Sequence, residues 1–333
     1  MADKRVSNLD VARAAGVSPT TVSHVLTGNR PVSEQTAARV REAIVTLGYR
    51  PHELARSLRT QRYLTIGLVV PDITNPFNMH IARGMQQAVQ PDGYFVLVTD
   101  SLADTDAEHA LVERLMTRVD AIAFSGHYEH AHELRVAVRR GLPVVWLGGW
   151  ERAEEGFDTA TTDDYGIGVR ATEHLLQRGY RRIAFLATRE ESGPGHRRVQ
   201  GFRDTCASAG IAVSPELVIH GEVTREAGIE GARLLLALKE RPDAVIATND
   251  LVAVGALTEL IRQGVEVPRD IALMGVDDID AVSLTTPSLT SIPLNGLDQG
   301  RAIGALLLRR IAGEVGPQDL VFPAAEVIHR EST

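Results

Sequence analysis

Cysteine is almost absent from this sequence of 333 residues, which contains only Cys206. A single thiol cannot build an intrachain disulfide framework or a cysteine-rich zinc site, and so low a content is typical of proteins that work in a reducing compartment. The simplest interpretation of Cys206 is a small buried apolar side chain. The sequence therefore excludes the folds that disulfides or zinc-bound cysteines hold together.

Long apolar runs are also missing. No stretch approaches the ~18 consecutive apolar residues of a membrane-spanning helix, and the first residues, MADKRVSNLDVARAAG, carry charges where a signal peptide has an apolar segment. We therefore expect a cytoplasmic protein. The composition, 44% hydrophobic and 23% charged, is that of an ordinary globular protein, and a length of 333 residues predicts two or three folded units.

The common phosphate-binding and nucleophile motifs do not occur. There is no GxxxxGK[ST] loop and no GxSxG turn, and DDYGIGVR lacks the third glycine of a dinucleotide-binding GxGxxG. The segment HYEHAHE, residues 127–133, has no distant partner that would complete a metal site, so we interpret it as the solvated start of a helix. An enzyme stays an alternative on this scaffold, but no nucleophile, base and orienting group can be assembled. We expect no enzymatic activity, no cofactor and no metal.

The net charge of −8 hides a strong division along the chain. Residues 1–62 contain ten lysines and arginines and five acidic residues, a net of +5, whereas the remaining residues contain 25 basic and 38 acidic side chains, a net of −13. A basic head on an acidic body indicates that only the head meets the phosphates of a nucleic acid.

Three short helices are predicted in the first fifty residues. The first begins at the N-cap Ser7 or Asn8 and ends at Gly16, which readily adopts the left-handed conformation of a helix end. The second spans about 18–28 and the third about 33–48. The apolar side chains predicted to face inward are Leu9, Val11, Ala12, Ala15, Val22, Val25, Leu26, Ala37, Val40, Ile44 and Leu47.

The turn between the first two helices is only three residues long, which makes the pair a helix-turn-helix whose second helix enters the major groove of DNA. The outer arc of that helix is small and polar. Thr20 can hydrogen-bond a base edge or contact a thymine methyl group, and His24 can donate to guanine N7 or O6. The alternative is the solvated face of a small helical bundle, and the charge division favours DNA.

The segment from Asp10 to Leu58, DVARAAGVSPTTVSHVLTGNRPVSEQTAARVREAIVTLGYRPHELARSL, resembles the headpiece and hinge of the lactose-repressor and purine-repressor (LacI/GalR-type) family almost continuously. Most members of that family have Asn where this chain has Thr27. The resemblance implies that bases are read by Pro19, Thr20 and His24. It implies DNA-backbone contacts by Thr21, Ser23, Thr27, Arg30 and Tyr49.

Residues 51–60, PHELARSLRT, consist of good helix formers, but isolated helices below ~12 to 15 residues are marginal in water. We therefore expect this hinge to be disordered away from DNA. The resemblance implies that two hinges, one per protomer, fold together in the minor groove, where Leu58 wedges between central base pairs and Arg56 and Arg59 contact the groove or phosphates. It also implies a flexible C·G step at the operator centre. The alternative is a charged linker with Leu58 packed on the body.

From Leu64 onward, short apolar runs alternate with amphipathic stretches. The runs are LTIGLVV, YFVLVTD, AIAFSG, VVWLGG, RIAFLAT, LVIH, AVIATND and IALMGVDD, and the amphipathic stretches include 104–118, 166–178, 225–239 and 250–263. This pattern predicts buried parallel strands in βαβ units. Two groups of strands, divided near residues 150–162, predict two doubly wound lobes with a ligand cleft at the carboxyl ends of the strands.

The family resemblance continues through the body in DITNPF, LLQRGYRRIAFLA, RVQGF, TNDLVAVGA, MGVDDID and VIHREST. It implies an all-α helix-turn-helix headpiece plus an α/β body that is similar to periplasmic sugar-binding proteins, with three chain crossings between the lobes. The implied domains are a headpiece at 1–49, a hinge at 50–63 and an effector-binding and dimerisation body at 64–333. The first lobe would comprise about 64–161 and 294–324, and the second about 162–293 and 325–333.

A set of strand-end residues is then predicted to face the cleft and bind an effector. The set is Asp72, Phe77, Asn78, Asp100, Ser101, Ser125, His127, Trp146, Arg198, Asn249 and Asp277. The resemblance implies that Arg198 and Asp277 hold polar effector groups, since a guanidinium and a carboxylate suit a polyol or an anion. A sugar also needs an aromatic stacking face, for which Phe77 and Trp146 are the candidates. A small sugar is the leading hypothesis, and the absence of any effector is the alternative.

Together these patterns predict a regulator of transcription, a repressor if it follows the family, that binds a palindromic operator as a homodimer. An effector would change lobe closure and so the spacing of the two heads. The leucines at 306–308 indicate a buried helix, and no heptads follow them, so we expect a dimer rather than a tetramer. A transport-type binding module is the other alternative, but it would have a signal peptide and no headpiece.

Overall fold

The structure is a computed structural model that describes residues 6–27, 30–49, 62–125, 131–148, 158–188, 193–316 and 318–333. The chain divides into two compact units, Met1–Tyr63 and Leu64–Thr333, which we call the headpiece and the body. No helix in the described part of the chain has the length and apolar character that a bilayer crossing requires.

The headpiece contains three helices, α1 (Asn8–Ala15), α2 (Pro19–Thr27) and α3 (Glu34–Leu47). Ser7 and Asp10 form a reciprocal capping box at the start of α1, which satisfies backbone N–H groups that have no partner within the helix. Both α1 and α3 end at glycines in the left-handed conformation, Gly16 at φ 65° and Gly48 at φ 61°. Local cap chemistry therefore sets these helix ends.

The headpiece core is smaller than its apolar pattern predicts. Val11, Val22 and Val40 are fully buried at its centre, and Val25 packs against them. Leu9 and Leu26 are exposed, so their prediction as core residues is wrong. Leu26 lies about 100° further round α2 than Val25, which carries it to the rim of a core only three short helices wide.

The first lobe of the body is a six-stranded parallel sheet in the order β11-β5-β4-β3-β1-β2. Its strands are β1 (Thr65–Val70), β2 (Phe95–Asp100), β3 (Ala121–Ser125), β4 (Val144–Leu147), β5 (Asp158–Thr162) and β11 (Asp319–Phe322). Helices α4 (Pro76–Val89) and α11 (Gly296–Ile311) cover one face, and α5 (Thr105–Leu115) and α6 (Ala131–Arg139) cover the other. Leu306 and Leu307 are fully buried in α11, as the sequence pattern indicates.

The second lobe is a five-stranded parallel sheet in the order β10-β9-β8-β6-β7. Its strands are β6 (Ile183–Ala187), β7 (Val218–His220), β8 (Ala244–Ala247), β9 (Ala272–Asp277) and β10 (Thr290–Pro293). Helices α7 (Asp164–Gln177) and α8 (Gly193–Ser208) cover one face, and α9 (Arg225–Ala237) and α10 (Asp250–Arg262) cover the other. The predicted fold class, a helical headpiece with two doubly wound α/β lobes, is confirmed.

The chain passes between the lobes three times, after β5, after β10 and after β11. Two hydrogen bonds join the three crossings: the side chain of Gln299 donates to the Thr162 hydroxyl at 3.3 Å, and the Asp163 N–H donates to the Phe322 carbonyl at 2.9 Å. The last residues then lie along the second sheet, where the Leu273 N–H donates to the Ser332 carbonyl at 2.9 Å.

Strand β2 is less buried than its apolar run, YFVLVTD, predicts. Val96 and Val98 face the core beneath α4 and α11, whereas Phe95 is 64% exposed and Leu97 is 45% exposed. The reason is topological, because β2 is an edge strand and the core beneath α5 and α6 contains none of its side chains. One face of β2 is therefore an uncovered apolar surface.

Candidate functional sites

The outer arc of α2 is accessible. Pro19 and Thr20 are exposed, while Thr21, Ser23 and His24 are half-buried. Ser18 organises the start of the helix: its hydroxyl accepts from the Thr21 N–H at 3.1 Å and is 2.9 Å from the Thr21 hydroxyl. The residues predicted to read bases thus lie on one accessible surface of α2.

Asn8 ties α1 to α2. Its side-chain amide donates to the Pro19 carbonyl and to the Ser23 hydroxyl, both at 3.3 Å. Ser23, predicted as a DNA-backbone contact, is therefore also part of the joint between the two helices. The sequence marks Asn8 only as a possible cap, because its second role depends on residues eleven and fifteen positions away.

The other predicted DNA contacts are placed unevenly. Arg30 is exposed next to α2, and Tyr49 is half-buried against the headpiece core, where its N–H donates to the Ile44 carbonyl at 3.0 Å. Thr27 is the last residue of α2. Its side chain falls outside what the structure describes, as do the hinge residues Arg56, Leu58 and Arg59.

The centre of the second lobe contains a buried polar cluster. Arg198 on α8 donates from Nε to Asp164 Oδ1 at 2.8 Å, and its Nη2 lies 2.8 Å from the same oxygen. Its Nη1 donates to the Thr248 carbonyl at 2.5 Å. The next residue, Asn249, caps α10 by accepting from the Val252 N–H at 3.0 Å. The sequence prediction contains Arg198 and Asn249 but not Asp164.

Two further carboxylates lie beside this ion pair. Asp250 accepts from the Ser291 hydroxyl at 2.7 Å and from the Ile279 N–H at 2.9 Å. Asp277 is 9% exposed, has a left-handed φ of 116°, and its Oδ2 has no hydrogen-bond partner among the described groups. Such a conformation is costly for a residue with a side chain and is characteristic of functional sites.

Burial dominates the titration of this cluster. It raises the pKa of Asp250 to about 7, while the bonds from Ser291 and Ile279 act in the opposite direction. Burial and the neighbouring Asp250 charge also raise the pKa of Asp277 well above its ordinary value. The pKa of Asp164 is raised by burial against the opposing attraction of Arg198. The cluster therefore holds more acidic groups than its guanidinium can neutralise.

The predicted first-lobe residues mostly organise their own loops. Asp72 Oδ1 accepts from the N–H and hydroxyl of Thr74 at 2.7 and 2.6 Å, and the buried Asn78 donates to the Asp72 carbonyl at 2.8 Å. Asp100 accepts from the backbone N–H groups of Ile73 and Leu102 at 3.3 and 2.9 Å. These contacts fix the loops at the carboxyl ends of β1 and β2.

Three of the predicted cleft residues have other surroundings. Trp146 is 4% exposed and packs in the core beneath α5 and α6, so its prediction as a stacking face is wrong. The alternation of β4 explains this, since Val145 and Leu147 face the opposite core. Ser101 is fully buried and donates to Glu108 at 3.3 Å. Phe77 packs against the cores of both lobes.

Ser125 ends β3 and is half-buried, and His127 lies beyond the described residues. Within the described ranges, no group of three or more histidine, cysteine or acidic side chains could hold a metal ion.

A cavity of about 230 Å³ lies where the first crossing leaves β5 for α7. Its lining residues are Gly148, Thr161, Thr162, Asp163, Asp164, Tyr165 and Arg197. Arg197 lies over the Tyr165 ring, 5.7 Å from its centroid, and the Tyr165 hydroxyl donates to Asp204 at 3.2 Å. None of the predicted effector residues lines this cavity. In the sequence, this cavity corresponds to the polar segment TTDDY at the end of a strand. A search for apolar runs does not find that segment.

Two family models match the chain. Residues 9–52 match the family described as "Bacterial regulatory proteins, lacI family", and residues 172–333 match the "Periplasmic binding protein-like domain". The first match covers α1 to α3, and the second covers most of the second lobe and the return to the first.

Similar proteins extend the match to almost the whole chain. "HTH-type transcriptional repressor CytR" from Escherichia coli (strain K12) is 32% identical over 325 residues, which cover 97% of this chain and 95% of that protein. The solved "transcriptional regulator CelR-cellobiose complex" is 30% identical with a TM-score of 0.75, and it covers 99% of this chain and 100% of its own. The lac repressor dimer bound to operator and the anti-inducer ONPF is 24% identical with a TM-score of 0.88, covering 99% of each chain, and supports the fold.

Proposed function

Because the chain belongs to the lacI family of bacterial regulatory proteins and is a DNA-binding transcriptional regulator rather than an enzyme, we propose that it represses transcription by binding a palindromic operator as a homodimer. A small-molecule effector in the cleft between the lobes modulates this binding. Since operator DNA is in the cytoplasm, we place the protein there.

The observation that carries this proposal is α2, a helix of helix-turn-helix geometry with an exposed polar arc in the segment that matches the family. Residues 1–62 have a net charge of +5 on a chain of −8, which suits contact with phosphates. We assign base reading to Pro19, Thr20 and His24. We assign DNA-backbone contacts to Thr21, Ser23, Thr27, Arg30 and Tyr49.

The hinge completes the proposed DNA contact. Arg56, Leu58 and Arg59 enter the minor groove at the operator centre, where the Leu58 wedge favours a flexible C·G step. The charge and composition of PHELARSLRT support this assignment.

The uncovered face of β2 supports the proposed dimer. Phe95 and Leu97 lie there side by side on an edge strand, and Leu102, also exposed, follows the strand end. Apolar side chains grouped at an edge are typical of a protein–protein contact. A two-fold contact of this kind matches the two-fold symmetry of a palindromic operator.

A small sugar is the proposed effector. Polar groups at the carboxyl ends of parallel strands, with a cavity at the crossing, form the kind of site at which α/β sheets bind ligands. The similar regulator solved with cellobiose supports the choice of a sugar. Arg198, Asn249 and Asp277 stay in the proposed site, where Arg198 bonds Asp164 of the cavity lining. Asp72, Phe77, Asn78, Asp100, Ser125 and His127 stay proposed residues of the first-lobe side, whereas Ser101, which is fully buried, does not.

Selection of random DNA with the full chain tests the function directly. The enriched sequences should contain two inverted half-sites with one central step, and α2 substitutions should change the half-sites. Binding that enriches no sequence, or enriches a single unrepeated half-site, would contradict the proposal. A thermal-shift panel of sugars, nucleosides and sugar phosphates tests the effector, since a ligand at a hundredfold excess over Kd stabilises the folded state by about 2.7 kcal/mol.

A further inference from the structure

The edge of the Arg198 guanidinium formed by Nε and Nη2 is occupied by the protein. Nε and Nη2 both contact Asp164 Oδ1 at 2.8 Å, and Nη1 donates to the Thr248 carbonyl at 2.5 Å. Arg198 and Asp164 are both buried, with exposed fractions of 7% each. A phosphate or carboxylate bound by Arg198 would have to take its place from Asp164, since a forked guanidinium binds an anion through these same N–H groups.

The burial of this cluster also opposes an incoming anion. One guanidinium interacts with two buried carboxyl groups, Asp164 and Asp277, and Asp277 also interacts with the buried Asp250. The pKa values of all three are raised, chiefly by burial, so this environment disfavours the ionised form of a carboxyl group. A negatively charged effector group buried beside them would meet the same cost in a site of low dielectric constant.

The cavity presents Asp164 rather than Arg198. Asp163 and Asp164 line it together with Thr161, Thr162 and Tyr165, and among the described lining residues the one cation is Arg197, which is exposed and lies over Tyr165. Carboxylates accept hydrogen bonds from hydroxyl groups, and threonine hydroxyls both donate and accept. The lining thus suits a small uncharged polyol.

We infer that Asp164 is the specificity-determining residue of this site: by occupying Arg198 and lining the cavity, it selects an uncharged polyhydroxyl effector and excludes phosphorylated or carboxylated ones. This inference rests on the proposed function of the cleft as the effector site. It assigns to Arg198 the role of positioning Asp164, whereas the sequence resemblance implies that Arg198 contacts the effector directly.

Inorganic phosphate is the probe that tests this inference without knowledge of the effector. In the full-length wild type, the Tm of the body in millimolar phosphate should equal its Tm in chloride of the same ionic strength. In Asp164→Asn, which removes the charge with little change in shape, Arg198 becomes available and phosphate affinity should rise about tenfold or more. The double variant Asp164→Asn/Arg198→Gln should lose this gain.

The control is Asp298→Asn, since Asp298 is an exposed aspartate that pairs with Arg301 at 2.7 Å. It should behave as the wild type does. Phosphate binding to the headpiece is common to every variant and cancels in the comparison. Asp164→Ser provides a second way to remove the charge if the Asn variant does not fold.

Two results would overturn the inference: a phosphate-dependent rise in the Tm of the wild-type body, which needs no variant, or folded Asp164 variants with no gain in phosphate affinity. Operator binding is measured on the same samples. If operator binding is retained while the phosphate results fail, the inference alone is wrong. If the wild type selects no operator, the proposed function is wrong.

Discussion

At the scale of single residues, the same side chains often hold the structure and form the site. Ser23 joins two helices on the surface assigned to DNA, and Asn249 caps a helix in the proposed effector site. A substitution at such a position changes geometry as well as contact. Residues whose side-chain ends are exposed and make few hydrogen bonds within the protein are therefore the better probes of DNA recognition.

His24 and Arg30 separate base reading from phosphate contact. His24→Ala should relax specificity at one base pair of each half-site by about 1–3 kcal/mol, because an imidazole donates to a particular base edge. Arg30→Ala should weaken binding to all sequences nearly equally and reduce its salt dependence. Fluorescence anisotropy on operators with single substitutions measures both. Equal losses for the two variants on every operator would contradict the assignment.

His174 should make stability depend on pH. Burial, with the nearby charges of Arg178 and His329, lowers its pKa from 6.5 to about 4, and its Nε2 lies 2.9 Å from the Thr333 hydroxyl. Between these pH values the unfolded chain binds the proton and the folded chain does not. The contribution of His174 to the free energy of unfolding is therefore fully present above pH 6.5 and decreases as the pH drops toward 4.

The variant His174→Gln isolates this effect in thermal unfolding scans. It should be less stable than the wild type at pH 7, and the difference in Tm should shrink as the pH falls to 5. His109→Gln is the control, since His109 is exposed on α5. A difference that is constant across this pH range would show that His174 does not titrate as described.

At the scale of elements, close packing of α4 on α11 explains where glycine is required. A Cβ atom on Gly84 would lie 2.1 Å from the Leu297 carbonyl oxygen, and one on Gly300 would lie 2.1 Å from the Ile81 carbonyl oxygen. The two helices therefore approach until their backbones touch, which joins residues far apart in sequence into one layer.

Gly84→Ala should destabilise the body by about 1–3 kcal/mol or more, because the obstructing atoms belong to a backbone that cannot move alone. Gly221→Ala is the matched control, since its new methyl group would meet only the Ala227 side chain at 3.5 Å. Urea unfolding of both variants gives the comparison. Similar midpoints for the two would contradict the account of this packing.

The hinge is the element whose effect on DNA is tested most simply. Leu58→Gly should abolish operator bending while the body keeps its thermal stability, because glycine lacks the wedge and disfavours the helix that presents it. Bending is measured by energy transfer between dyes at the ends of the operator. Leu284→Gly, at an exposed leucine of the body, is the control. Unchanged bending in Leu58→Gly would exclude the wedge.

The sequence predicts elements well where local chemistry decides them. The cap residues Ser7, Gly16 and Gly48 mark helix ends within the headpiece, and eight apolar runs become eight strands. The strands β5, β10 and β11 are not predicted, because DTATT, TSIP and DLVF are short or polar and acquire strand structure from their neighbours at the crossings.

The sites are less predictable than the fold for a related reason. Arg198 and Asn249 carry a family motif, so the sequence identifies them. Asp164 pairs with Arg198 from a position 34 residues away, and no local pattern marks that pair. Trp146 is misplaced because its strand alternates between two cores and the apolar run does not show which face is which.

At the scale of the whole molecule, substitutions on the two edge strands of the first sheet test whether β2 forms the dimer contact. Phe95→Asp should raise the dimer Kd by about 30-fold or more, since an apolar aromatic at an interface commonly contributes 2 kcal/mol or more. Val321→Asp is the matched control, because Val321 is 66% exposed on β11 at the opposite edge. Analytical ultracentrifugation distinguishes them. Equal dissociation of both variants would place the dimer contact elsewhere.

The three crossings also limit how this gene can be rearranged. Neither lobe is one continuous stretch of chain, because β11 returns to the first sheet and the last residues lie along the second. No single breakpoint inside the body therefore separates two complete lobes. The chain passes from the headpiece to the body once, between Tyr63 and Leu64. Recombination at this point exchanges the complete headpiece and leaves the body intact. New combinations of operator and effector specificity should therefore arise by exchange of headpieces between related genes.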